Sequence, residues 1–178
     1  MMKRLLFLAT AGCLLAVAAP AADVAGAERL QFADGLYARE MYDLARGEYA
    51  ALLQDYPDHP KADLLHYRLG ECYRYLDRPV EAEQEFRTVY VRYPESRLRL
   101  KAGFRRADLF LETGQHEAAI ELFQALLREK PPDDLSAASV YFLGLAYDRA
   151  GKTNDAVKCY QKVKDEFPKS VYRHYALL

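Results

Sequence analysis

The sequence predicts an all-α solenoid of about four helix–turn–helix units with a 37-residue period, followed by a partial C-terminal helix. The first observation is a column of prolines, Pro57, Pro94, Pro131 and Pro168, each 37 residues after the one before. Proline lacks the backbone N–H and disfavours helix in the residue before it, so each should end a helix. The second is that small and aromatic residues recur with the same period. The third is that these residues lie three or four positions apart within each unit, as on one helix face.

The first element, residues 1–21, has the pattern of a signal peptide. Lys3 and Arg4 form a short cationic region, Leu5–Ala19 is apolar, and Ala19-Pro20-Ala21 provides the small residues of a cleavage site. We expect cleavage after Ala21, with Ala25–Ala27 as a weaker second site, and a mature protein in the periplasm. No further apolar run of about 18 residues follows, so the sequence predicts no stable membrane span.

Cys13 leaves a second localisation open. The stretch "TAGC" before and at Cys13 resembles the end of a bacterial lipoprotein signal, which would anchor the protein to the outer membrane by a lipid on this cysteine. Two features favour a cleaved signal peptide instead. Thr10 stands where a leucine is expected, and only eight residues separate Arg4 from Cys13.

The repeats occupy residues 22–178. The predicted units are about 26–62, 63–99, 100–136 and 137–173, with a partial helix to 178. Each unit contains a helix, a turn, a second helix and a proline stop. Small residues that would let helix backbones approach closely form two columns: Ala33, Gly70, Ala107 and Gly144 on the first helices, and Ala45, Ala82, Ala119 and Ala156 on the second. Tyr49, Phe86, Phe123 and Tyr160 form an aromatic column beside them.

The pattern of each unit resembles the tetratricopeptide repeat. Leu69-Gly70-x-x-Tyr73 is followed by Ala82, Phe86 and Pro94, and the same pattern runs from Leu143 to Pro168. The usual repeat is 34 residues long, and this one has three more after the proline. The long connector resembles that of two exported bacterial families, the lipoprotein of the outer-membrane β-barrel assembly machine and the Tol-Pal-associated cell-division coordinator. This resemblance implies a non-enzymatic scaffold in cell-envelope assembly or coordination.

The resemblance also implies a binding surface. The first helices would line a concave groove that holds a protein or peptide. The charged and aromatic residues expected there are Asp34, Glu71, Arg74, Tyr75, Asp108, Glu112, Asp148 and Arg149. Two alternatives stay open: the charges could be a solvated face, and the deeper column of Tyr67, Phe104 and Tyr141 could be core packing rather than groove surface.

Other function classes have little support in the residues. Without the predicted leader, 23 basic residues stand against 26 acidic ones (25 minus Lys3 and Arg4), and no basic stripe suggests nucleic acid. The four histidines are scattered and match no catalytic or metal-binding motif, so no enzyme activity, metal or cofactor is expected. Cys72 and Cys159 lie two units apart, about 20 Å in stacked helices, and are predicted to be free, packed thiols.

The C-terminal stretch leaves one more alternative. Tyr172, Tyr175 and Leu178 continue the repeat register into a fifth first helix. The array could continue in a longer protein, or this edge could dock on another chain. The second function to consider is therefore a structural oligomerisation module that self-associates through these residues.

Overall fold

The protein is a row of α-helices in which each helix packs against the next. The computed structural model describes residues 19–176, with side chains from residue 26 onward, and over this range it contains no strand. The helices are α1 (Ala19–Ala38), α2 (Tyr42–Asp55), α3 (Ala62–Tyr75), α4 (Pro79–Arg92), α5 (Arg99–Glu112), α6 (His116–Arg128), α7 (Asp133–Arg149), α8 (Thr153–Glu166) and α9 (Tyr172–Tyr175). Each contacts its sequence neighbour, α8 and α9 included. The predicted all-α solenoid of helix pairs is confirmed.

Parts of the predicted N- and C-terminal elements lie outside the described residues. Residues 1–18, including Cys13, and Leu178 are among them. The predicted cleavage site after Ala21 lies within the first turns of α1, and the structure does not test whether the chain is cleaved there. Among the described residues, no helix has the length and apolar character needed to cross a membrane.

The turn inside each unit is built on one left-handed residue. Glu40, Asp77, Gly114 and Gly151 are 37 residues apart and have φ values of 60°, 55°, 78° and 73°. The next residue in each turn donates its N–H to a carbonyl five positions back, as from Gln115 to Phe110 at 2.7 Å. This is the Schellman ending of an α-helix, which satisfies carbonyls that the helix leaves free. The turn therefore repeats even where glycine does not.

The proline stops also repeat, with one shift. Helices α2, α4 and α8 each end two residues before their proline. Helix α5 begins at Arg99, and a start 37 residues later would be at Ser136, but α7 begins three residues earlier, at Asp133. Pro132 has φ −53° and ψ 153°, and two acidic residues, Asp133 and Asp134, occupy the first turn after it. Negative charge is stabilising at a helix N-terminus, which favours this early start.

The core lies between successive helices and consists of the predicted columns. Ala45, Ala82 and Ala119 are fully buried, as are Tyr49, Phe86 and Phe123. The glycine prediction is also confirmed. A Cβ on Gly70 would lie 2.8 Å from the Phe86 ring, and one on Gly144 would lie 2.6 Å from the Tyr160 ring. At both positions an aromatic ring of the next helix packs directly on the glycine, so a side chain there would require this ring or the helix to move.

The two thiols of the repeat domain are packed. Cys72 is buried, Cys159 is half-buried, and both are free. Burial raises the pKa of the Cys72 thiol to about 12 and that of Cys159 to about 11. Both thiols are therefore protonated at neutral pH, which predicts slow reaction with thiol reagents.

Candidate partner-binding groove

The odd-numbered helices form the inner face of the row. α5 contacts α7 and α7 contacts α9, whereas no two even-numbered helices within residues 19–176 pack to a comparable extent. A row whose elements are closer together on one side curves toward that side. The groove is therefore the inner face of α1, α3, α5, α7 and α9, and all eight predicted binding residues lie on the first four of these helices.

Three acidic residues of the groove, Asp34, Glu71 and Asp108, are 37 residues apart and form what we call the acidic column. Two of them are more buried than residues on a solvated face would be. Asp34 on α1 is half-buried, but Glu71 on α3 is only 4% exposed and Asp108 on α5 only 7%. For Glu71 and Asp108, the alternative of a solvated face is wrong, because the neighbouring helices cover them. Buried carboxylates need compensating donors, so their partners decide what this floor can do.

Arginines from the next unit face the first two members of the column. Arg68 Nε lies 3.9 Å from Asp34 Oδ1, and Arg105 Nε lies 3.0 Å from Glu71 Oε1. The second contact is an ion pair without the geometry of a hydrogen bond, since neither atom has a hydrogen-bond partner. Neither arginine was predicted for the groove, although their spacing of 37 residues is visible in the sequence.

Asp108 shares its nearest guanidinium with Glu71. The nearest guanidinium atom is Arg105 Nη1, 3.9 Å from Asp108 Oδ2 and beyond hydrogen-bonding distance. Burial, and then the negative charge of Glu112, raise the pKa of Asp108 to about 6. The folded protein thus holds a carboxyl group in the floor of the groove that changes its charge just below neutral pH.

Arg74 and Tyr75 lie together at the end of α3. The Arg74 guanidinium carbon lies 4.9 Å from the centroid of the Tyr75 ring, and its Nε lies 3.9 Å from Glu71 Oε1. The Tyr75 ring stacks on Tyr42 at 4.3 Å with an interplanar angle of 9°, and 49% of Tyr75 is still exposed. Stacking on Tyr42 therefore fixes the Tyr75 ring, and half of the residue stays exposed for contact with a partner. Tyr42 was not predicted for this site, because it belongs to a second helix.

Glu112, Asp148 and Arg149 are exposed at the C-terminal ends of α5 and α7. Arg149 Nη1 donates a hydrogen bond to the backbone oxygen of Leu111 at 3.2 Å, which ties α7 to α5. The side chains of Glu112 and Asp148 form no hydrogen bond or ion pair with any described residue. The structure therefore places these three at one rim of the groove, apart from the buried cluster around Glu71.

The aromatic column divides into core and surface. Tyr67 is 4% exposed and Phe104 7%, so these two pack in the core, whereas Tyr141 is half-buried. The Tyr141 ring lies 5.3 Å from that of Tyr172 and 6.0 Å from that of Tyr175 on α9. Aromatic side chains thus line the C-terminal end of the groove, and charges line the middle.

The described residues offer no metal centre. No group of three or more His, Cys, Asp or Glu side chains in residues 26–176 could hold a metal ion. The closest approach of a histidine to an acid is His66 Nδ1 to Glu85 Oε2 at 2.6 Å, a single pair between α3 and α4.

The tetratricopeptide repeat family profile matches residues 30–97 and 104–171, which together hold most of the helical row. The chain belongs to the tetratricopeptide repeat family. The helix pairs, the Schellman turns and the buried small and aromatic columns described above are therefore those of this family's repeats.

Solved structures agree on the fold. MamA 41-end from Desulfovibrio magneticus RS-1 has a TM-score of 0.69 at 21% identity, over 84% of this chain and 79% of that one. A tetratricopeptide repeat protein from Parabacteroides merdae ATCC 43184 has a TM-score of 0.73 at 20% identity, over 85% and 57%. A putative kinesin light chain with nearly identical TPR-like repeats from Podosopora anserina has a TM-score of 0.67 at 17% identity, over 86% and 80%. No curated protein matches the chain.

Proposed function

We propose that this chain is an exported, non-enzymatic scaffold that holds a protein or peptide partner in its groove and acts in assembly or coordination of the bacterial cell envelope. Binding of a protein partner is supported by the family, since tetratricopeptide repeats form extended concave surfaces for protein–protein interaction.

One observation supports the groove as the binding surface. Eight buried side-chain polar atoms in the described part of the chain have no hydrogen-bond partner, and five of them cluster there: Tyr67 Oη, Arg68 Nε, Glu71 Oε1, Arg74 Nε and Arg105 Nε. Arg105 Nε and Glu71 Oε1 partly compensate each other as an ion pair at 3.0 Å, but none of the five atoms has a well-formed hydrogen bond. Buried polar groups are normally hydrogen-bonded, so this floor favours a partner whose amides and side chains bring further donors and acceptors into the groove.

The surrounding side chains suit a peptide as well. Tyr75 is half-exposed but fixed by its stacking on Tyr42, and Tyr175 is 59% exposed at the other end of the groove. Rigid aromatic anchors of this kind lose little side-chain entropy on binding and often dominate the energy of an interface. Glu112 and Asp148 at the rim would contribute orientation more than affinity, because exposed ion pairs are weak.

The compartment follows from the predicted leader. Cleavage after Ala21 would release the repeat domain into the periplasm, and a lipid on Cys13 would instead anchor it to the outer membrane. Two features support an envelope role: the leader and the resemblance of the long-connector repeats to those of exported envelope proteins. Sequencing the mature N-terminus by mass spectrometry tests both routes, because the first predicts a start at Ala22 and the second a start at a lipid-modified Cys13.

Photocrosslinking in intact cells tests the groove. A photoreactive residue at Tyr75 should capture a protein partner, and the same residue at Arg87, exposed on α4 away from the groove, is the matched control. Capture at Arg87 but not at Tyr75 would refute the groove as the binding surface.

The alternative function is a structural oligomerisation module. Val171, just before α9, is 66% exposed and Tyr175 59%, so this end of the row offers an apolar edge to another molecule. A third photoreactive residue at Tyr175 separates the two functions. Self-crosslinks there, with no capture at Tyr75, would favour self-association through Tyr172 and Tyr175 over peptide binding.

A further inference from the structure

Each residue of the acidic column is matched by a residue of the next repeat unit. Each acidic residue and the residue 34 positions later form what we call a rung: Asp34 with Arg68, Glu71 with Arg105, and Asp108 with Phe142. In the first two rungs the later residue places a guanidinium against the carboxylate, at 3.9 Å and 3.0 Å. In the third rung the arginine is replaced by phenylalanine. Asp108 therefore has the position of its column but lacks the cation of its rung.

The side chain of Asp108 lacks a hydrogen-bond donor. It is 10% exposed, and none of the described residues donates a hydrogen bond to it. Arg105 Nη1 is 3.9 Å away, the same distance as Arg68 from Asp34, but the Nε of this guanidinium is closer to Glu71, at 3.0 Å. Asp108 therefore shares its nearest cation with another carboxylate. Buried carboxylates are normally paired and hydrogen-bonded, and the Asp108 oxygens are not among the fully buried unpartnered atoms, so a donor from outside the chain can reach them.

The charges around Asp108 favour a cation. Glu112 and Arg105 face it from its own helix, and Glu71 and Arg74 from α3. With Asp108 itself, this makes three carboxylates against two guanidiniums, an excess of one negative charge. Tyr172 on α9 is the remaining titratable neighbour, and burial raises its pKa, so it stays neutral near pH 7.

The residue that replaces the arginine provides an aromatic environment. The Phe142 ring lies 5.3 Å from Phe104 and 6.1 Å from Tyr172, and Tyr172 lies 5.3 Å from Tyr141. Aromatic faces attract Arg and Lys cations within about 6 Å. The first rung already combines the two features, since Arg68 lies near Asp34 with its guanidinium carbon 4.6 Å from the Tyr37 centroid.

We propose that the groove binds a basic side chain of its partner, an arginine before a lysine, at Asp108, where it completes the third rung as Arg68 and Arg105 complete the first two. This inference rests on the proposed function, since it names the peptide chemistry that the same groove selects. Arginine is favoured because its planar fork can give two hydrogen bonds to one carboxylate while its face lies on an aromatic ring.

Selection from a displayed library of random peptides tests this proposal, and it does not require the natural partner to be identified first. The protein and its Glu121→Gln variant should enrich peptides that contain Arg or Lys, and Asp108→Asn should lose that preference. Glu121→Gln is the control, because it neutralises an exposed carboxylate on α6, outside the groove helices. Circular dichroism of each variant reports whether it folds.

A second measurement needs no variant. For an enriched peptide, replacing its arginine by citrulline, which keeps the shape and removes the charge, should weaken binding by about tenfold or more. The affinity of the arginine peptide should also fall as the pH drops through about 6, where Asp108 gains its proton. The citrulline peptide should show no such fall.

The outcomes separate the inference from the function on which it rests. Peptides that bind equally well with arginine or citrulline would overturn the third-rung proposal and leave the groove as a peptide-binding surface. A library from which no peptide is enriched by the folded protein would overturn both. Basic peptides enriched equally by Asp108→Asn would place the basic side chain elsewhere and overturn the assignment to Asp108.

Discussion

Replacing Gly70 by alanine should destabilise the protein, because the new methyl group has no room. Its Cβ would lie 2.8 Å from Cε1 of Phe86 and 3.0 Å from two further ring carbons. Non-bonded carbons prefer about 3.5–4.0 Å, so the ring or the helix must move by about half an ångström to one ångström. Phe86 is fully buried, so its ring cannot turn into solvent, and α3 and α4 must separate instead.

The size of the effect follows from two opposing contributions. Overpacking a well-packed core costs about 1–3 kcal/mol, and alanine is better than glycine inside a helix by about 1 kcal/mol. We expect a net loss of about 1–2 kcal/mol in the free energy of unfolding, near the upper end of this difference because Phe86 cannot yield. For a domain of this size, each kcal/mol corresponds to about 2–4 °C in Tm.

Two other glycines calibrate the measurement. Gly47 in α2 has no atom within 4 Å of its ideal Cβ, so Gly47→Ala should raise stability by about 0.5–1 kcal/mol. Gly144→Ala should fall between the two, because Tyr160 is close but half-buried and its ring can turn outward. Urea unfolding followed by far-UV circular dichroism gives the midpoints, which are compared directly since repeat arrays can unfold in steps. If Gly70→Ala proved as stable as Gly47→Ala, the close packing of α3 on α4 would be refuted as the reason for glycine.

Three further predictions concern the turns, the thiols and the pH dependence. Glu40→Gly should stabilise the protein by about 1 kcal/mol in thermal unfolding, because Glu40 has φ 60°, whereas Gly114→Ala at φ 78° should destabilise it by a similar amount. In the folded protein Cys72 and Cys159 should react with a thiol reagent at neutral pH far more slowly than in urea, since burial raises their pKa values to about 12 and 11, and equal rates would contradict their packing. The pKa of Asp108 rises from 3.8 to about 6, so the folded state binds this proton more tightly than the unfolded chain does. The burial of Asp108 therefore has no cost below its unfolded pKa, and the destabilisation grows as the pH rises from there through the folded pKa. Asp108→Asn should accordingly raise the free energy of unfolding by up to about 3 kcal/mol at about pH 8 and change it little at about pH 3, as measured by urea unfolding at the two pH values.

The fold could be predicted from the sequence because its determinants are local and repeated. A proline ends a helix through its own missing N–H, and a small residue such as Gly70 or Ala107 is needed where the helices pack closely, so both recur with the period of the stack. The left-handed turn residue can be read from the sequence only at Gly114 and Gly151, because glycine favours this backbone. Glu40 and Asp77 adopt the same left-handed backbone, with the same Schellman hydrogen bonds, although it is less favourable for them than for glycine. Here the packing of the units outweighs the local backbone preference of the residue.

The depth of the groove could not be predicted in the same way. Whether Glu71 is solvated or buried depends on how closely α5 approaches α3, which is a property of the whole stack and not of the residues beside Glu71. Its partner Arg105 comes from the next unit, 34 residues away. The sequence placed Glu71 on the correct face but could not give its burial, because the side chains that cover it belong to other repeats.

The positions most informative about function are those where a repeated column changes although the stacking of the helices does not require the change. Stacking requires the small and aromatic columns, and α7 keeps them, with Gly144 against Tyr160 and Leu143 in the core. The acidic column, however, ends at Leu145, and the arginine column ends at Phe142. Asp108 lies at the boundary, where the acid of the earlier units meets the aromatic residues of the later one. Packing does not require a carboxylate there, and its ionised form is costly to bury, so a partner that brings a cation gives the simplest physical reason for its presence.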